Sequence, residues 1–134
     1  VVYHGKVIGA GHNMRERFQN AAYHAELLAI MEACEYLGSW RLEECDLYVT
    51  LEPCMMCSGA IMNSRIRTLY YGAKNPKAGT VESLYHLLSD SRFNHQVEIR
   101  SGIKENECQQ LLKQFFKRVR KARKAARKSA QQKN

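Results

Sequence analysis

His24-Ala25-Glu26 and Pro53-Cys54-Met55-Met56-Cys57, with Cys54 twenty-eight positions after Glu26, constrain this chain more tightly than any other feature. Two cysteines three apart at the start of a helix are rotated by roughly 300°, so both sulfurs face one side and can grip one ion. A helix start also presents the positive end of the dipole, which favours thiolate over thiol. His24 would be a third protein ligand. Any fold that uses these residues together must bring two helix starts, distant in sequence, to one point.

Three ligands and a nearby carboxylate describe a reactive centre. A structural zinc closes its shell with four protein ligands, whereas a catalytic one leaves a position for water. Residues i and i+2 of a regular helix diverge by roughly 200°, so His24 and Glu26 can converge only if His24 stands at the helix edge. The spacing therefore predicts a helix beginning at about His24. Glu26 beside a zinc-activated water could take its proton and hand it on to the substrate and its leaving group. Read alone, His-x-Glu is a common string, and Pro-Cys-x-x-Cys fits a redox dithiol or half of a four-cysteine zinc site. Their combination in this order and spacing is what points to catalysis.

The remaining composition suits a small enzyme. A chain of 134 residues, 45% hydrophobic, fits one domain over 1–134 with one core. No apolar run approaches the roughly 20 residues that span a bilayer, and nothing at the start resembles a signal peptide, so a cytoplasmic home is expected. Five cysteines, two of them assigned to metal, argue against a disulfide scaffold and leave Cys34, Cys45 and Cys108 as expected buried thiols. The chain opens on Val1 with residues suited to a strand interior, and a preceding segment is expected to be missing.

Periodicity predicts short strands over residues 1–3 and 6–10 around a turn at His4-Gly5, then a helix over 24–37 stopped by Gly38. Leu27, Leu28, Met31, Cys34 and Leu37 are its expected buried stripe. A strand over 47–51 runs into Pro53, expected in the first turn of a helix over 54–62. Strands over 66–71 and 97–100 flank a helical stretch over 83–89, and a last helix starts near Lys104. The class is α/β: a mixed five-stranded sheet with helices on both faces, the ligands coming from the two helices that flank the third strand. No internal repeat is present.

Charge is segregated. Residues 117 to 134 hold nine of the 21 Lys and Arg and no acidic residue, so the formal +8 resides in the tail. Cys108, Leu111, Leu112, Phe115, Phe116 and Val119 follow helical spacing into this run. Beside a catalytic site, the basic helix over about 104–134 reads as a phosphate clamp. Among other residues, His95 is expected to hold a loop by hydrogen bonds, His4, His12 and His86 to lie at the surface, Met55, Met56 and Met62 to fill the core, and Trp40 to anchor the segment after Gly38.

His-x-Glu followed by Pro-Cys-x-x-Cys is the signature of zinc deaminases, for which the tRNA adenosine deaminases are a standard example. Together with Gly11-His12-Asn13, Gly38-Ser39-Trp40-Arg41-Leu42, Thr50-Leu51-Glu52, Ser64-Arg65-Ile66, Phe93-Asn94-His95 and residues 111–118, it makes nearly the whole chain resemble the bacterial tRNA-specific adenosine deaminases of the cytidine/deoxycytidylate deaminase superfamily. The resemblance implies a cytidine-deaminase-like three-layer fold, a homodimer, and conversion of adenosine to inosine at the wobble position of the tRNA-Arg anticodon. It implies one zinc per subunit on His24, Cys54 and Cys57, Glu26 as proton shuttle, and no organic cofactor. Asn13 would contact the flipped nucleotide, Asn75 would border it, and Phe115, Phe116 and Arg118 would meet the anticodon stem-loop. The chain departs from the family in lacking a helix before the first strand, in Tyr23 where many members have Ala, and in Asn75 where many have Asp. The alternatives are a metabolic deaminase of free cytidine, deoxycytidylate or guanine, which has no use for so basic a tail, and a non-enzymatic RNA-binding protein, whose structural zinc needs a fourth protein ligand.

Overall fold

Alternation along the central strand sets the architecture. In β3 (Cys45–Leu51), Cys45 and Leu47 are buried and Val49 is half-buried, while Tyr48 and Thr50 point to the opposite, exposed side. β4 (Thr68–Ala73) pairs with it in parallel, Leu47 opposite Leu69 and Val49 opposite Tyr71, so the apolar residues of both strands share a face. The computed structural model describes residues 1–132. In it β1 (Val2–Tyr3) and β2 (Lys6–Val7) form an antiparallel hairpin, and the left-handed His4 (φ 49°) and Gly5 (φ 77°) supply the positive φ values that a two-residue turn between twisted strands requires. β5 (Glu98–Arg100) adds in parallel to β4, giving the order β2-β1-β3-β4-β5. β1 runs antiparallel to β3, so the sheet is mixed, as the alternating elements predict.

Parallel neighbours need crossovers, and the helices provide them. α2 (Ala25–Leu37) precedes β3, and α3 (Met55–Asn63) joins β3 to β4. Both supply buried residues to the core, where Ile30, Ala33 and Ile61 meet Leu47, Leu69 and Tyr71. On the other face α4 (Glu105–Gln132) crosses β4 at Gly72, where a side chain would strike Cys108. The arrangement is three layers with helices on both faces of five strands. All five cysteines are free thiols, and no helix among the described residues is long and apolar enough to cross a membrane.

Several local expectations are corrected. The second strand ends at Val7 because Gly9 and Gly11 turn to run against α2, so tightly that a Cβ on Gly11 would lie 2.7 Å from the Ala25 carbonyl. That close approach requires small residues on the facing helix, and Ala29 and Ala33 are buried there, with Ile30 buried beside them. The larger residues expected there, Leu27, Leu28, Cys34 and Leu37, are only half-buried, and Met31 is 62% exposed. Residues 83–89 do not form a helix. Only Leu87–Ser89 make a 3₁₀ turn, because the backbone N–H groups of Val81, Glu82 and Ser83 are drawn to the Glu52 carboxylate in place of helical carbonyls.

A four-residue helix, α1 (Arg15–Phe18), is present where the pattern indicated none, started by the Asn13 side chain accepting from the Arg15 N–H at 2.9 Å. Cys34 and Cys108 are half-buried where burial was expected, and only Cys45 is enclosed. Met62 is buried, but Met55 is 75% exposed and Met56 is half-buried. Trp40 is 56% exposed, with the guanidinium groups of Arg41 and Arg65 at 4.6 and 5.9 Å from its ring centre. Its packing comes from cations rather than the core. His95 does tie its loop, through Nε2 and the Ile66 carbonyl at 2.8 Å. His4, His12 and His86 are exposed. The basic run is helical to Gln132, and residues 133 and 134 lie outside the described ones.

Leu69 is fully buried at the centre of this core. Leu69→Ala is expected to lower unfolding free energy by about 2–5 kcal/mol. Leu111→Ala, on the 54% exposed side of α4, is expected to cost no more than about 0.5 kcal/mol. Urea denaturation of the two variants measures both.

Candidate active site

The ligand candidates occupy the same position on two helices. His24 is the N-cap of α2 and Cys54 the N-cap of α3, both with extended backbone (φ −77°, ψ 152° and φ −77°, ψ 178°). Pro53 therefore stands one residue before the cap, not in the first turn as expected, and Cys54 lies just outside the helix. The pincer survives this shift, because a cap side chain points back over the first turn, where Cys57 lies. Nδ1 of His24 is 3.7 Å from Sγ of Cys54 and 3.5 Å from Sγ of Cys57. All three donor atoms lie within 4.8 Å of one another.

Cap geometry also sets the charge. The neighbouring Cys57 thiol, and the backbone N–H groups of Cys57 and Met56 at the start of α3, favour the thiolate, and the Cys54 pKa falls to about 5 despite partial burial. No cap hydrogen bond forms to the Cys54 side chain, so the N–H groups act through the positive potential of the helix start. Cys57, fully buried and holding the shared proton, is shifted upward, Cys54 being the first cause and burial the second. Glu26 lies in the first turn of α2, and its negative charge is a further cause of the upward Cys57 shift, so its carboxylate stands beside the cluster.

The donor set fits zinc. Tetrahedral bonds of about 2.3 Å to sulfur and 2.0 Å to nitrogen place N and S roughly 3.5 Å apart, which the two observed separations match. Among the described residues three protein donors converge, not the four of a closed structural site.

Glu52 is the residue that pattern reading passed over. It is 1% exposed, and its carboxylate accepts from the N–H groups of Asn75 (3.1 Å), Val81 (3.0 Å), Glu82 (2.8 Å) and Ser83 (3.0 Å) and from the Ser83 hydroxyl. Burial alone would raise its pKa, but the hydrogen bonds outweigh burial and hold it at about 2. The available signal was a carboxylate ending an apolar strand immediately before Pro53, a place where an unpaired charge is costly.

Of the other sequence-derived residues, Asn13 is exposed in the loop that leads into α1, which the Met14 N–H joins to the Tyr23 carbonyl (2.9 Å), next to His24. Asn75 is half-buried, its N–H on Glu52 and its Oδ1 accepting from Ala78 N–H at 3.3 Å. Phe115 and Phe116, each 47% exposed and edge-to-face at 5.4 Å, sit on α4 with Arg118 and do not belong to the cluster. α4 is linked to the loop region by Arg123, 3.5 Å from Glu16 of α1. A cavity of about 520 Å³ touches Glu26, but its other walls come largely from β1–β3 and residues 9–11, and none of the three ligands lines it. It is a cleft beside the site rather than the seat of the metal.

Two thiols and an imidazole gathered at the starts of two helices, with a carboxylate at hand, are the residue types of a hydrolytic deaminase centre. In keeping with this, residues 1–120 match the family model of the MafB19-like deaminases. The chain is 50% identical over 129 residues to the tRNA-specific adenosine deaminase of Bacillus subtilis (strain 168), covering 96% of this chain and 80% of that one. It is 46% identical over 127 residues to the enzyme of that name from Streptococcus pyogenes serotype M1, covering 95% and 74%. A solved structure from work on A-to-I editing by tRNA:A34 deaminases at the wobble position superposes with a TM-score of 0.78 at 45% identity, covering 81% of this chain and 79% of that one. The chain belongs to the tRNA-specific adenosine deaminase family.

The depressed Glu52 pKa has a consequence for acid stability. A folded value of about 2 against an ordinary value of 4.5 means that the stabilisation is present above pH 4.5 and is lost as pH falls toward 2. Thermal melts across this window should show the wild type losing stability, with a smaller pH-dependent loss in Glu52→Gln.

Proposed function

We propose that this protein hydrolytically deaminates adenosine to inosine at the wobble position of the tRNA-Arg anticodon. The convergence of His24, Cys54 and Cys57 with Glu26 beside them carries the reading, and the likeness to tRNA-specific adenosine deaminases supports the substrate. His24, Cys54 and Cys57 hold one zinc per subunit, and the ion supplies the Lewis acidity that readies water as a nucleophile near neutral pH. Glu26 accepts the proton of the attacking water, delivers it to the ring nitrogen next to the amine-bearing carbon, and assists proton transfer to the leaving amine. Water's oxygen becomes the inosine carbonyl and the amine departs as ammonia. One carboxylate serves both steps because each needs the same group in the opposite protonation state.

Binding falls to the surrounding elements. Asn13 and Asn75 contact the extruded nucleotide, and Phe115 and Phe116 offer exposed rings for stacking against unpaired anticodon-loop bases. Arg118 and the basic residues that follow it on α4 engage phosphates. Residues 1–134 act as one deaminase domain in the cytoplasm. Exposed Met31 on α2 and Met55 on α3 support a homodimer through the outer faces of these helices.

Incubation with a tRNA-Arg anticodon stem-loop, scoring inosine by mass, tests the proposal. Glu26→Ala is expected to lower turnover by at least about 10²-fold, with zinc content unchanged at one per subunit by elemental analysis. Removing residues 117–134 should weaken RNA binding and flatten its salt dependence, read from the slope of log affinity against log salt. Turnover of free cytidine, deoxycytidylate or guanine without inosine in RNA would overturn the reading.

A further inference from the structure

We propose that Glu52 is a positioning residue of the deaminase site: its buried carboxylate clasps residues 75–83, and Asn75 with them, against the turn that carries Cys54 and Cys57. This rests on the deamination reading and adds to it a residue that contacts neither substrate nor metal.

The clasp has two sides. On one, Oε1 accepts from Asn75 N–H and the Ser83 hydroxyl, and Oε2 from the N–H groups of Val81, Glu82 and Ser83. On the other, Thr80 reaches the metal turn itself, its N–H and hydroxyl donating to the Pro53 carbonyl at 3.0 and 3.2 Å while Oγ1 shares a second hydrogen bond with the Ser58 hydroxyl at 2.8 Å. Ser58 follows Cys57 directly, and Glu52 precedes Pro53-Cys54 directly. One strap is thus fastened at both ends of the segment that supplies two ligands.

Every group pointing at Glu52 is a donor. Four backbone N–H groups and a hydroxyl saturate an acceptor-only carboxylate, whereas a glutamine amide would turn its NH₂ toward donors at whichever end it occupied. Gly79 completes the fit, because a Cβ there would strike the Glu52 carboxyl group. Beyond the clasp, the strap is held by Thr80, by the bond from Tyr71 to Glu82 and by Val81, which is fully buried in the core. Without the clasp, Val81, Glu82 and Ser83 lose the acceptor that keeps them out of a helical turn. Asn75 is carried on the same strap, so its place beside the nucleotide depends on a charge buried under the metal turn.

The test uses the full chain loaded with cobalt(II) and three readouts: hydrogen exchange of the amides in residues 75–83, the visible spectrum of the cobalt site, and kcat and KM on the anticodon stem-loop. Glu52→Gln is expected to speed exchange in the strap at least about tenfold. It should raise KM about tenfold with kcat changed less than about threefold, the pattern of lost uniform binding. The cobalt spectrum should stay that of the wild type, because the cysteines are held by their own helix. Ser83→Ala, which removes one of the five donors, should shift exchange and KM in the same direction by less, and it decides the matter if Glu52→Gln does not fold. Unchanged KM with lowered melting temperature alone, unchanged exchange, or an altered cobalt spectrum would each overturn the inference. Wild-type protein that makes no inosine on the same RNA would remove the deamination reading and this inference with it. An active wild type with an unaffected Glu52→Gln would remove only this one.

Discussion

Two helix caps meeting at one point are what the rest of the molecule serves. A cap residue has extended backbone and a side chain that returns over the first turn, where unpaired N–H groups concentrate positive potential. Placing His24 and Cys54 at caps lets a ligand and Cys57 or Glu26 in the following turn face the same space, which regular helical positions two apart would forbid. The same N–H groups favour charge on Cys54. Parallel pairing of β3 with β4 is the means of delivery, since α3 leaves the end of β3 and must cross the face on which α2 lies.

Close packing tunes this delivery. Gly9 and Gly11 let the chain pass hard against α2, and the helix answers with Ala25, Ala29 and Ala33 along that side. Leucine-sized groups at these positions would push α2 outward and move His24 away from the cysteines, since interiors at crystal-like density do not absorb added volume without shifts. On the far face, Gly72 gives α4 the same intimacy at Cys108.

α4 is divided by function. Cys108, Leu112 and Val119 are half-buried, while Leu111, Phe115 and Phe116 remain substantially exposed on a helix with no fully buried residue. The helix presents apolar rings to solvent, and its extension carries eight basic residues from Lys117 to Lys128, so stacking faces and positive charge share one element. The ion pair between Arg123 and Glu16 keeps this surface near the loop that leads to His24.

What could be read from residues alone was whatever depends on local spacing. The candidate ligand set, the helix edge at His24, the mixed sheet and the segregated tail all follow from periodicity and side-chain chemistry. Reading failed where a distant partner decided. Hydrophobic size nominated Leu27, Leu28 and Met31 for the core of α2, but the close approach of residues 9–11 gave that place to alanines. Helical propensity nominated residues 83–89, but a carboxylate thirty residues earlier captured three of their N–H groups. Sequence by itself determined the chemistry of the site, because donor types and their short spacings are covalent facts. Tertiary structure alone decided which segments hold that chemistry in place, because a buried charge such as Glu52 is satisfied only by groups that folding brings to it.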